Sequence, residues 1–537
     1  MIETLATKAY LDQKTGTSGL RKKTSVFMQE NYMANWIESL FSAMKENGIG
    51  FDGTLVVGGD GRYGNELAID LIIKIGVARG FKRILVGQHG LMSTPALSAV
   101  VRDQKALGGI ILTASHNPGG KNGDMGMKFN PTNGGPAPES FTDIIYKHTT
   151  QITEISMETS ARVDIHVLGT TTIGSTVVEV TDPTATYAEL MQTIFDFDAI
   201  RALAKTAGFK FFFDGMHGVT GPYAQRIFGE ILGFPSSFLL RCDPKPDFGG
   251  LHPDPNLTYA KDLVELCYAD NKVTVAAASD GDGDRNMILG DNFFVTPSDS
   301  VAVIADKHQA IPYFKNGLKG VARSMPTSAA LDVVAKKLNL EVNSTPTGWK
   351  FFTNLMDADR CSICGEESFG TSSDHIREKD GLWAVLAWLN IIAVARQTDP
   401  TVTVQTIVES FWRENGRNAY QRLDYEALTT EQGKAVMDAA AAAEGAVDFR
   451  YVDPVDGSVA EHQGIIVPCD GGRFVVRTSG TGSSGATVRV YIEKEVAKDD
   501  ADLLKPASEL LAGMEATALA ATKLVELTGR AEPTVRT

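Results

Sequence analysis

Three aspartates alternate with glycines in the segment Asp280-Gly-Asp-Gly-Asp284, which directly follows the apolar run Val-Thr-Val-Ala-Ala-Ala. Glycine lets the backbone turn until the carboxylates converge, and converging carboxylates repel one another unless a hard cation lies among them. A solvated acidic turn does not fit a position next to a buried strand. An EF-hand calcium loop needs Gly at its sixth and Glu at its twelfth position, where this chain has Arg285 and Asp291. The segment therefore predicts Mg²⁺, held together with a phosphate oxygen.

A serine and a histidine stand side by side in the long loop that follows another apolar run, Gly109–Leu112. This loop places Ser115 and His116 just past a predicted strand and carries Lys128 further along. In open α/β sheets, ligands bind at the carboxyl ends of the strands. A capping serine in a surface turn is the alternative for an isolated Ser-His pair. The length of this loop and the motifs downstream favour a reactive serine hydroxyl instead.

A third segment, Arg477-Thr-Ser-Gly-Thr-Gly-Ser-Ser-Gly485, combines glycines with hydroxyl groups, and Arg489 follows on the next predicted strand. Exposed backbone N–H groups, hydroxyls and guanidinium groups together form a cradle for phosphate. The segment is not a Walker loop, because no Gly-Lys-Ser/Thr follows. A flexible linker is disfavoured by the strands predicted on both sides.

Near the N-terminus, residues 15–24 end in three cations from Arg21 onward, which predict a solvated turn or an anion contact.

Two weaker segments lie between these motifs. Gly365-Glu-Glu-Ser-Phe-Gly370 offers carboxylates and a hydroxyl to sugar hydroxyls, although Glu-Glu is common on protein surfaces. Residues 374–380 include a His, an Arg and a Lys that can supply cations or carry protons, and a solvated helix start explains them nearly as well.

The five cysteines are sparse, which is typical of a reducing compartment. Cys361 and Cys364 lack the second pair or histidines of a zinc site, so they are interpreted as small apolar residues, with a redox pair as the weaker alternative.

The composition argues against several classes of protein. The 537 residues suggest about three to four domains. With 51 basic and 66 acidic residues the net charge is −15, which argues against a nucleic-acid-binding surface and against anionic membranes. The sequence predicts no membrane span, because no run of about 18 apolar residues is recognised. No basic segment followed by an apolar one opens the chain, so no secretory signal is expected.

Strands and helices alternate along the first three quarters of the chain, which predicts parallel sheets with crossover helices. After about residue 410, short strands separated by turns predict an α+β domain with an antiparallel sheet. The tail, residues 529–537, is expected to be loose. We predict three related α/β domains with mixed sheets and a C-terminal α+β domain. Their predicted bounds are 1–188, 189–296, 297–408 and 409–537.

In chain order, the motifs that begin at Thr113, Asp280, Gly365 and Arg477 resemble the four signature loops of the α-D-phosphohexomutase superfamily. The first three, with residues 15–21, 345–349 and 374–381, are similar to the glucose-specific phosphoglucomutase branch rather than the phosphomannomutase branch. The resemblance spans nearly the whole chain and implies four domains around a central active-site cleft, each giving one loop. One departure is Thr478, which stands where relatives often carry Leu or Pro.

The resemblance also implies a role for each matching residue. Ser115 is the implied phosphoserine, and its phosphate shares Mg²⁺ with Asp280, Asp282 and Asp284, with Arg285 beside them. The implied substrate-binding residues are Arg21, Thr347, Gly348, Glu366, Ser368, Arg477, Ser479, Gly480, Thr481 and Arg489. The implied proton-handling candidates are His116, Lys128 and Lys379, and the sequence does not choose among them.

The activity implied by the resemblance is the reversible conversion of α-D-glucose 1-phosphate to D-glucose 6-phosphate, through a phosphoserine enzyme and glucose 1,6-bisphosphate. We expect a cytoplasmic enzyme that acts on small sugar phosphates, binds neither nucleic acid nor membranes, and is a monomer or a weak homo-oligomer. Two alternatives stay open. One is a catalytically silent relative that serves as a binding or scaffold protein. The other is a serine phosphohydrolase that releases phosphate to water.

Overall fold

The computed structural model describes residues 1–16, 18–269, 272–480 and 485–537, without the side chains of residues 479 and 480. The chain divides into two compact units. The first comprises Met1–Pro255, Ala276–Asn286 and Ser372–Asn390. The second comprises Asn256–Val275, Met287–Thr371 and Ile391–Thr537. The bounds predicted for the four domains are not fixed by this division and stay a prediction.

The elements follow the chain in three stretches. Residues 1–255 form β1 (Ile2–Ala6), β2 (Leu20–Lys23), α1 (Thr24–Phe27), α2 (Tyr32–Glu46), β3 (Thr54–Gly59), α3 (Asn65–Arg79), β4 (Arg83–Leu91), α4 (Thr94–Asp103), β5 (Gly108–Leu112), β6 (Asp124–Asn130), α5 (Glu139–Gln151), β7 (Glu154–Glu158), β8 (Gly169–Ile173), β9 (Thr176–Thr181), α6 (Ala185–Ile194), α7 (Phe197–Ala204), β10 (Phe211–Asp214), α8 (Thr220–Ala224) and β11 (Leu239–Leu240). Residues 256–373 form α9 (Lys261–Tyr268), β12 (Val275–Ser279), β13 (Asn286–Gly290), β14 (Phe293–Val295), α10 (Pro297–Asp306), β15 (Val321–Ser324), α11 (Ala330–Leu338), β16 (Val342–Thr345), α12 (Trp349–Asp357), β17 (Ile363–Glu366) and β18 (Gly370–Ser373). The remainder forms α13 (Gly381–Thr398), α14 (Val404–Asn415), β19 (Arg417–Leu428), α15 (Thr430–Ala441), β20 (Val447–Asp448), β21 (Tyr451–Val452), β22 (Val459–Ala460), β23 (Ile465–Cys469), β24 (Gly472–Gly480), β25 (Ala486–Val496), α16 (Ala507–Ala521), α17 (Leu524–Thr528) and β26 (Val535–Arg536).

The main sheet of the first unit has seven strands in the order β2-β6-β5-β3-β4-β9-β8. Its centre is parallel, because β3 pairs in parallel with both β4 and β5 and the connecting helices α3 and α4 cross over. Every residue of β5 is buried, as expected for a strand covered on both faces. This confirms the predicted alternation of strands and helices. The carboxyl end of β5 leads directly into the loop that carries Ser115.

In the first unit, strands β10 and β11 and residues 276–279 of β12 bring the aspartate segment to the same kind of position. Strand β10 pairs in parallel with β11, and β12 lies on the other side of β10. All five residues of β12 are buried, and the chain leaves that strand at Ser279, one residue before Asp280. The aspartate segment therefore starts at the carboxyl end of a buried strand, as the sequence predicts.

The second unit contains a parallel arrangement and an antiparallel sheet. Strand β15 pairs in parallel with β16 and β17, whose carboxyl ends lead to the segments at Thr347 and Glu366. The antiparallel sheet has the order β20-β23-β24-β25-β19-β26. This confirms the predicted change from parallel to antiparallel pairing in the C-terminal part of the chain.

The prediction of a loose C-terminal tail is wrong. Strand β26 pairs with β19, so that Asp424 lies opposite Val535. The backbone N–H of Thr537 donates to the carbonyl oxygen of Arg422 at 3.0 Å. A two-residue strand is too short to show an alternating pattern, so the pairing is visible only when β19 is in place.

Helix α13 corrects the expectation that the chain has no run of about 18 predominantly apolar residues. It has 18 residues and a mean hydropathy of 1.2, so by length and composition it is apolar enough to cross a membrane. However, 72% of that stretch is buried within the fold. A helix that is apolar on all sides and packed inside a protein belongs to the core, and we interpret α13 as such a core helix.

Candidate active site

The hydroxyl group of Ser115 is held in a strained and buried position at the end of β5. Its backbone φ is +54°, which side chains larger than glycine rarely adopt, and only 2% of the residue is exposed. The buried Arg62 donates from Nη2 to the carbonyl oxygen of Ser115 at 2.9 Å. The backbone N–H of Ser115 donates to Thr113 Oγ1 at 2.7 Å. These contacts hold the conformation whose strain costs about 1–3 kcal/mol.

The three aspartates converge as the sequence predicts, and Ser115 lies against them. One ligand atom from each of Asp280, Asp282 and Asp284 lies within 4.8 Å of the others, and all three side chains are buried. Ser115 Oγ donates to Asp280 Oδ2 at 2.9 Å. Thr94 Oγ1 donates to Asp282 Oδ2 at 2.7 Å. The hydroxyl group and the carboxylate cluster therefore form one site.

The aspartate cluster has the chemistry of a site for a hard divalent cation. Burial, and then repulsion from Asp282 and Asp284, raises the pKa of Asp280 well above its ordinary value. Among the residues that the structure describes, the Oδ1 atoms of Asp282 and Asp284 are buried without a hydrogen-bond partner. Because oxygen atoms in this state need a cation or a donor, the cluster fits a metal ion of this class.

Several cations surround the cluster. Lys379 Nζ lies 3.0 Å from Asp284 Oδ2, and Arg285 Nε lies 4.0 Å from Asp284 Oδ1. Burial lowers the pKa of Arg21, while the charges of Asp282 and Asp284 raise it. Arg21, Arg285 and Lys379 therefore lie near the aspartates, and their roles stay a prediction.

His116 and Lys128, the other two proton-handling candidates, have different surroundings. Burial, followed by the charges of Arg285 and Arg21, holds the pKa of His116 well below its ordinary value. Its Nδ1 lies 3.3 Å from Ser115 Oγ. Lys128 Nζ is instead hydrogen-bonded to the buried carboxylate of Glu378. Burial raises the pKa of Glu378, and Lys128 opposes that shift.

Sequence reasoning missed the residues that support this site. Arg62 donates from Nε to Asp60 Oδ2 at 2.9 Å, and Thr113 Oγ1 donates to the same oxygen at 2.5 Å. The signal was present, because Gly-Gly-Asp-Gly-Arg ends at Arg62 directly after a predicted strand. Glu378 gave no separate signal, since its partner Lys128 lies 250 residues away.

In the second unit, the two predicted sugar-binding segments meet. Glu366 Oε1 accepts a hydrogen bond from the backbone N–H of Gly348 at 3.1 Å. Ser368 Oγ lies 3.4 Å from Glu366 Oε2, to which it donates. Thr347 Oγ1 is buried and has no hydrogen-bond partner within the described ranges. Hydroxyl and carboxylate groups gathered in this way can bind sugar hydroxyls.

The predicted phosphate segment places two arginines opposite one another on neighbouring strands. Arg477 on β24 lies directly opposite Arg489 on β25 in the antiparallel register. Arg477 Nε donates to the carbonyl oxygen of Gln463 at 3.1 Å, and Arg489 Nε lies 3.5 Å from Asp424 Oδ2. Residues 477–480 continue β24 and are not a loop. The side chain of Ser479 is not described, Gly480 ends the strand, and Thr481 lies outside the described residues.

Comparison with known proteins covers almost the whole chain. Family models of phosphoglucomutase/phosphomannomutase match it with alpha/beta/alpha domain I at residues 12–156, domain II at 185–292 and domain III at 297–414. The model of the phosphoglucomutase-1 C-terminal domain matches residues 417–534. The four matches follow one another in the order expected from the four motifs.

Relatives that match along nearly their full length point to the same family as the family models. The chloroplastic phosphoglucomutase of Arabidopsis thaliana is 52% identical, covering 100% of this chain and 89% of its own. The cytoplasmic phosphoglucomutase of Bromus inermis is also 52% identical, covering 99% of this chain and 98% of its own. The open form of pp63/parafusin from Paramecium, an exocytosis-sensitive phosphoprotein described as a phosphoglucomutase, has a TM-score of 0.93 and 48% identity over 100% of this chain and 99% of that one. The chain therefore belongs to the phosphoglucomutase/phosphomannomutase family.

Proposed function

We propose that the chain is a Mg²⁺-dependent phosphoglucomutase that interconverts α-D-glucose 1-phosphate and D-glucose 6-phosphate through a phosphoserine at Ser115 and glucose 1,6-bisphosphate. The observation that carries the proposal is the hydrogen bond from Ser115 Oγ to Asp280 inside a buried cluster of three carboxylates. A phosphoryl acceptor beside a cation site is the arrangement that phosphoryl transfer requires. The full-length relatives that carry the name phosphoglucomutase support the choice of substrate.

The reaction consists of two phosphoryl transfers. In the first, O6 of glucose 1-phosphate attacks the phosphorus of phosphoserine 115 and loses its proton, while the bond from phosphorus to Ser115 Oγ breaks and that oxygen takes up a proton. The resulting glucose 1,6-bisphosphate turns around. In the second, Ser115 Oγ attacks the phosphorus at C1 and loses its proton, while the bond from phosphorus to O1 breaks and O1 takes up a proton, which releases glucose 6-phosphate. Bound Mg²⁺ supplies charge stabilisation for the transferred phosphoryl group.

The chain's own residues orient the reacting groups and exclude water. Arg62 and Thr113 fix the backbone of Ser115, so that its oxygen points at the site. Since Ser115 is only 2% exposed, its hydroxyl group is shielded from water, which favours transfer to a sugar over hydrolysis. Arg477 and Arg489 would bind the phosphate that is not being transferred, and Glu366 with Ser368 would bind sugar hydroxyls. Ser479, Gly480, Thr481, Thr347, Gly348 and Arg21 complete the proposed substrate-binding set.

The proton that leaves each attacking hydroxyl needs an acceptor. His116 Nδ1 is 3.3 Å from Ser115 Oγ, Lys379 Nζ is held by Asp284, and Lys128 Nζ by Glu378. We test these candidates with the variants His116→Gln, Lys128→Met and Lys379→Met. The variant that lacks the proton acceptor should slow a transfer step. Single-turnover phosphorylation and dephosphorylation of Ser115, measured separately, assigns the roles.

Replacing Ser115 tests the proposal. Ser115→Ala should abolish turnover of glucose 1-phosphate in a coupled assay and leave the melting temperature near that of the parent. The control Ser156→Ala removes a hydroxyl group whose neighbour is the exposed Thr4 and should keep full activity. Intact mass after incubation with glucose 1,6-bisphosphate should show one added phosphoryl group in the parent and none in Ser115→Ala. Near-normal turnover by Ser115→Ala would show that the nucleophile is a different group.

Measuring inorganic phosphate beside the turnover of glucose 1-phosphate separates a mutase from a serine phosphohydrolase. A serine phosphohydrolase would release inorganic phosphate in step with substrate loss, whereas a mutase conserves phosphate.

We also propose a cytoplasmic monomer or weak homo-oligomer with sugar phosphates as partners. The relatives include chloroplastic as well as cytoplasmic enzymes, so localisation of a fluorescent fusion and sedimentation velocity test these two points.

A further inference from the structure

We propose that Arg422 is a positioning residue that links the proposed sugar-binding segment at Glu366 to the proposed phosphate-binding strand at Arg489. The two would then bind a hexose phosphate as one rigid site. This inference rests on the proposed function. Arg422 lies on β19, and its side chain is only 8% exposed. Its Nη1 donates to Glu367 Oε2 at 2.8 Å. Its Nε lies 2.9 Å from Asp424 Oδ1.

The first end of this contact lies within the proposed sugar-binding segment. Glu367 stands between Glu366 and Ser368, and its side chain is 1% exposed. Its backbone N–H donates to Thr327 Oγ1 at 2.9 Å. The carboxylate is thus buried against Arg422 and anchors the segment to β19. A change in the position of Arg422 must move both neighbouring residues that would bind sugar hydroxyls.

The second end lies on the proposed phosphate-binding strand. Asp424 on β19 stands opposite Arg489 on β25, and its Oδ2 lies 3.5 Å from Arg489 Nε. This is a charge contact without a hydrogen bond to Nε, and it leaves the two Nη groups of Arg489 as the candidates for binding phosphate. The four side chains form a row of alternating charge, from Glu367 through Arg422 and Asp424 to Arg489.

The row is neutral only when it is complete. Two carboxylates face two guanidinium groups, and three of these side chains are at least nine-tenths buried. Removal of Arg422 leaves two buried carboxylates without their shared partner, a state that strongly disfavours the original geometry. Asp424 would then have Arg489 as its remaining cation and would compete with phosphate for it. Sugar binding and phosphate binding should therefore weaken together.

A matched control exists on the same sheet. Arg473 on β24 has its Nε 2.8 Å from Glu493 Oε2 and donates from Nη2 to the carbonyl oxygens of Met325 and Thr327 at 3.0 Å. Like Arg422, it joins the antiparallel sheet to a segment that follows a strand of the parallel arrangement, here β15 rather than β17. Unlike Arg422, it contacts neither the proposed sugar segment nor Arg489 through any contact that the structure records.

The experiment compares Arg422→Met with Arg473→Met in the full chain. Arg422→Met should raise KM for both glucose phosphates by about tenfold or more, with kcat changed by less than about threefold, because ground-state and transition-state binding are lost equally. Arg473→Met should lower the melting temperature and change KM by less than about threefold. Glu367→Gln, which keeps the shape of the side chain, should reproduce the KM effect in part and decides the outcome if Arg422→Met does not fold.

Equal KM effects from Arg422→Met and Arg473→Met would overturn the inference, since both residues would then act only as connections between segments. A normal KM in Arg422→Met and in Glu367→Gln would do the same. The proposed function is judged separately, because it fails only if Ser115→Ala still turns over substrate. A dead Ser115→Ala together with an unaffected Arg422→Met would reject the positioning role and leave the mutase assignment intact.

Discussion

At the scale of single residues, the buried oxygens of the aspartate cluster make the sharpest prediction. Asp282 Oδ1 lacks a hydrogen-bond partner in the described part of the chain, while its Oδ2 is occupied by Thr94. Asp282→Asn removes one of three charges that face the cation, so kcat should fall by about 100-fold or more and more Mg²⁺ should be needed. A Mg²⁺ titration of activity measures both effects. Asp291→Asn, which removes a carboxylate outside the cluster, serves as control, and an unchanged Mg²⁺ requirement in Asp282→Asn would exclude the cluster as the metal site.

A second buried carboxylate should make stability depend on pH. Burial raises the pKa of Asp299 to about 6, and Arg417 and Trp412 oppose that shift. The folded protein therefore prefers the neutral acid, and this stabilising contribution is complete below pH ~4 and is lost as pH rises through ~6. Asp299→Asn stays neutral, so its stability relative to the parent should improve by up to about 3 kcal/mol between pH 4 and 7.5.

Melting temperatures of parent and Asp299→Asn at pH 5 and pH 7.5 check this sign. The difference should shift in favour of the variant at the higher pH. A constant difference between the two proteins would show that Asp299 is already ionised in the fold at pH 5.

At the scale of elements, the start of α13 lies against the aspartate segment. The N–H of Gly381 donates to the carbonyl oxygen of Gly283 at 3.1 Å. A Cβ atom at residue 381 would lie 2.2 Å from the carbonyl oxygen of Arg285, closer than atoms can approach. Gly381→Ala must push the helix away from the aspartate segment, and we expect kcat to fall by at least about tenfold through displaced side chains.

Gly513→Ala in α16 is the matched control, because no atom lies within 4 Å of its added Cβ. It should keep full activity and gain about 1 kcal/mol of helix stability. If Gly381→Ala were as active as Gly513→Ala, the close approach of α13 to the metal segment would have no functional meaning.

The elements also show why part of the structure could be predicted from the sequence. Ser115 and Asp280 follow strands whose residues are all buried, so apolar runs revealed them. Strand β19 was missed although it is 12 residues long. Its residues include Arg422 and Asp424, charged residues that are typical of exposed positions but are buried here, because Glu367 and Arg489 on distant segments supply their counter-charges. Such non-local pairs leave no periodic pattern.

At the scale of the whole molecule, the residues proposed for phosphoryl transfer and those proposed to bind the other phosphate belong to different units of the chain. Ser115 and the aspartates lie in the first unit, and Arg489 lies in the second. Arg489→Ala should therefore raise KM by about 10- to 150-fold, the effect of losing a hydrogen bond to a charged group. An excess of glucose 1,6-bisphosphate should still phosphorylate Ser115. Lys494→Ala on the same strand is the control, and loss of phosphorylation in Arg489→Ala with normal KM would contradict this division of labour.

The pairing of Arg477 with Arg489 across β24 and β25, in a segment proposed to bind phosphate, has a consequence for the lifetime of the protein in a cell. Asp424 already lies beside Arg489, and a bound phosphate would add a second anion to the same pair of strands. A bound sugar phosphate stabilises the folded chain by mass action, in proportion to the logarithm of its concentration. Cells rich in hexose phosphates should therefore accumulate this protein, while starved cells should lose it to proteases faster than its rate of synthesis alone would explain.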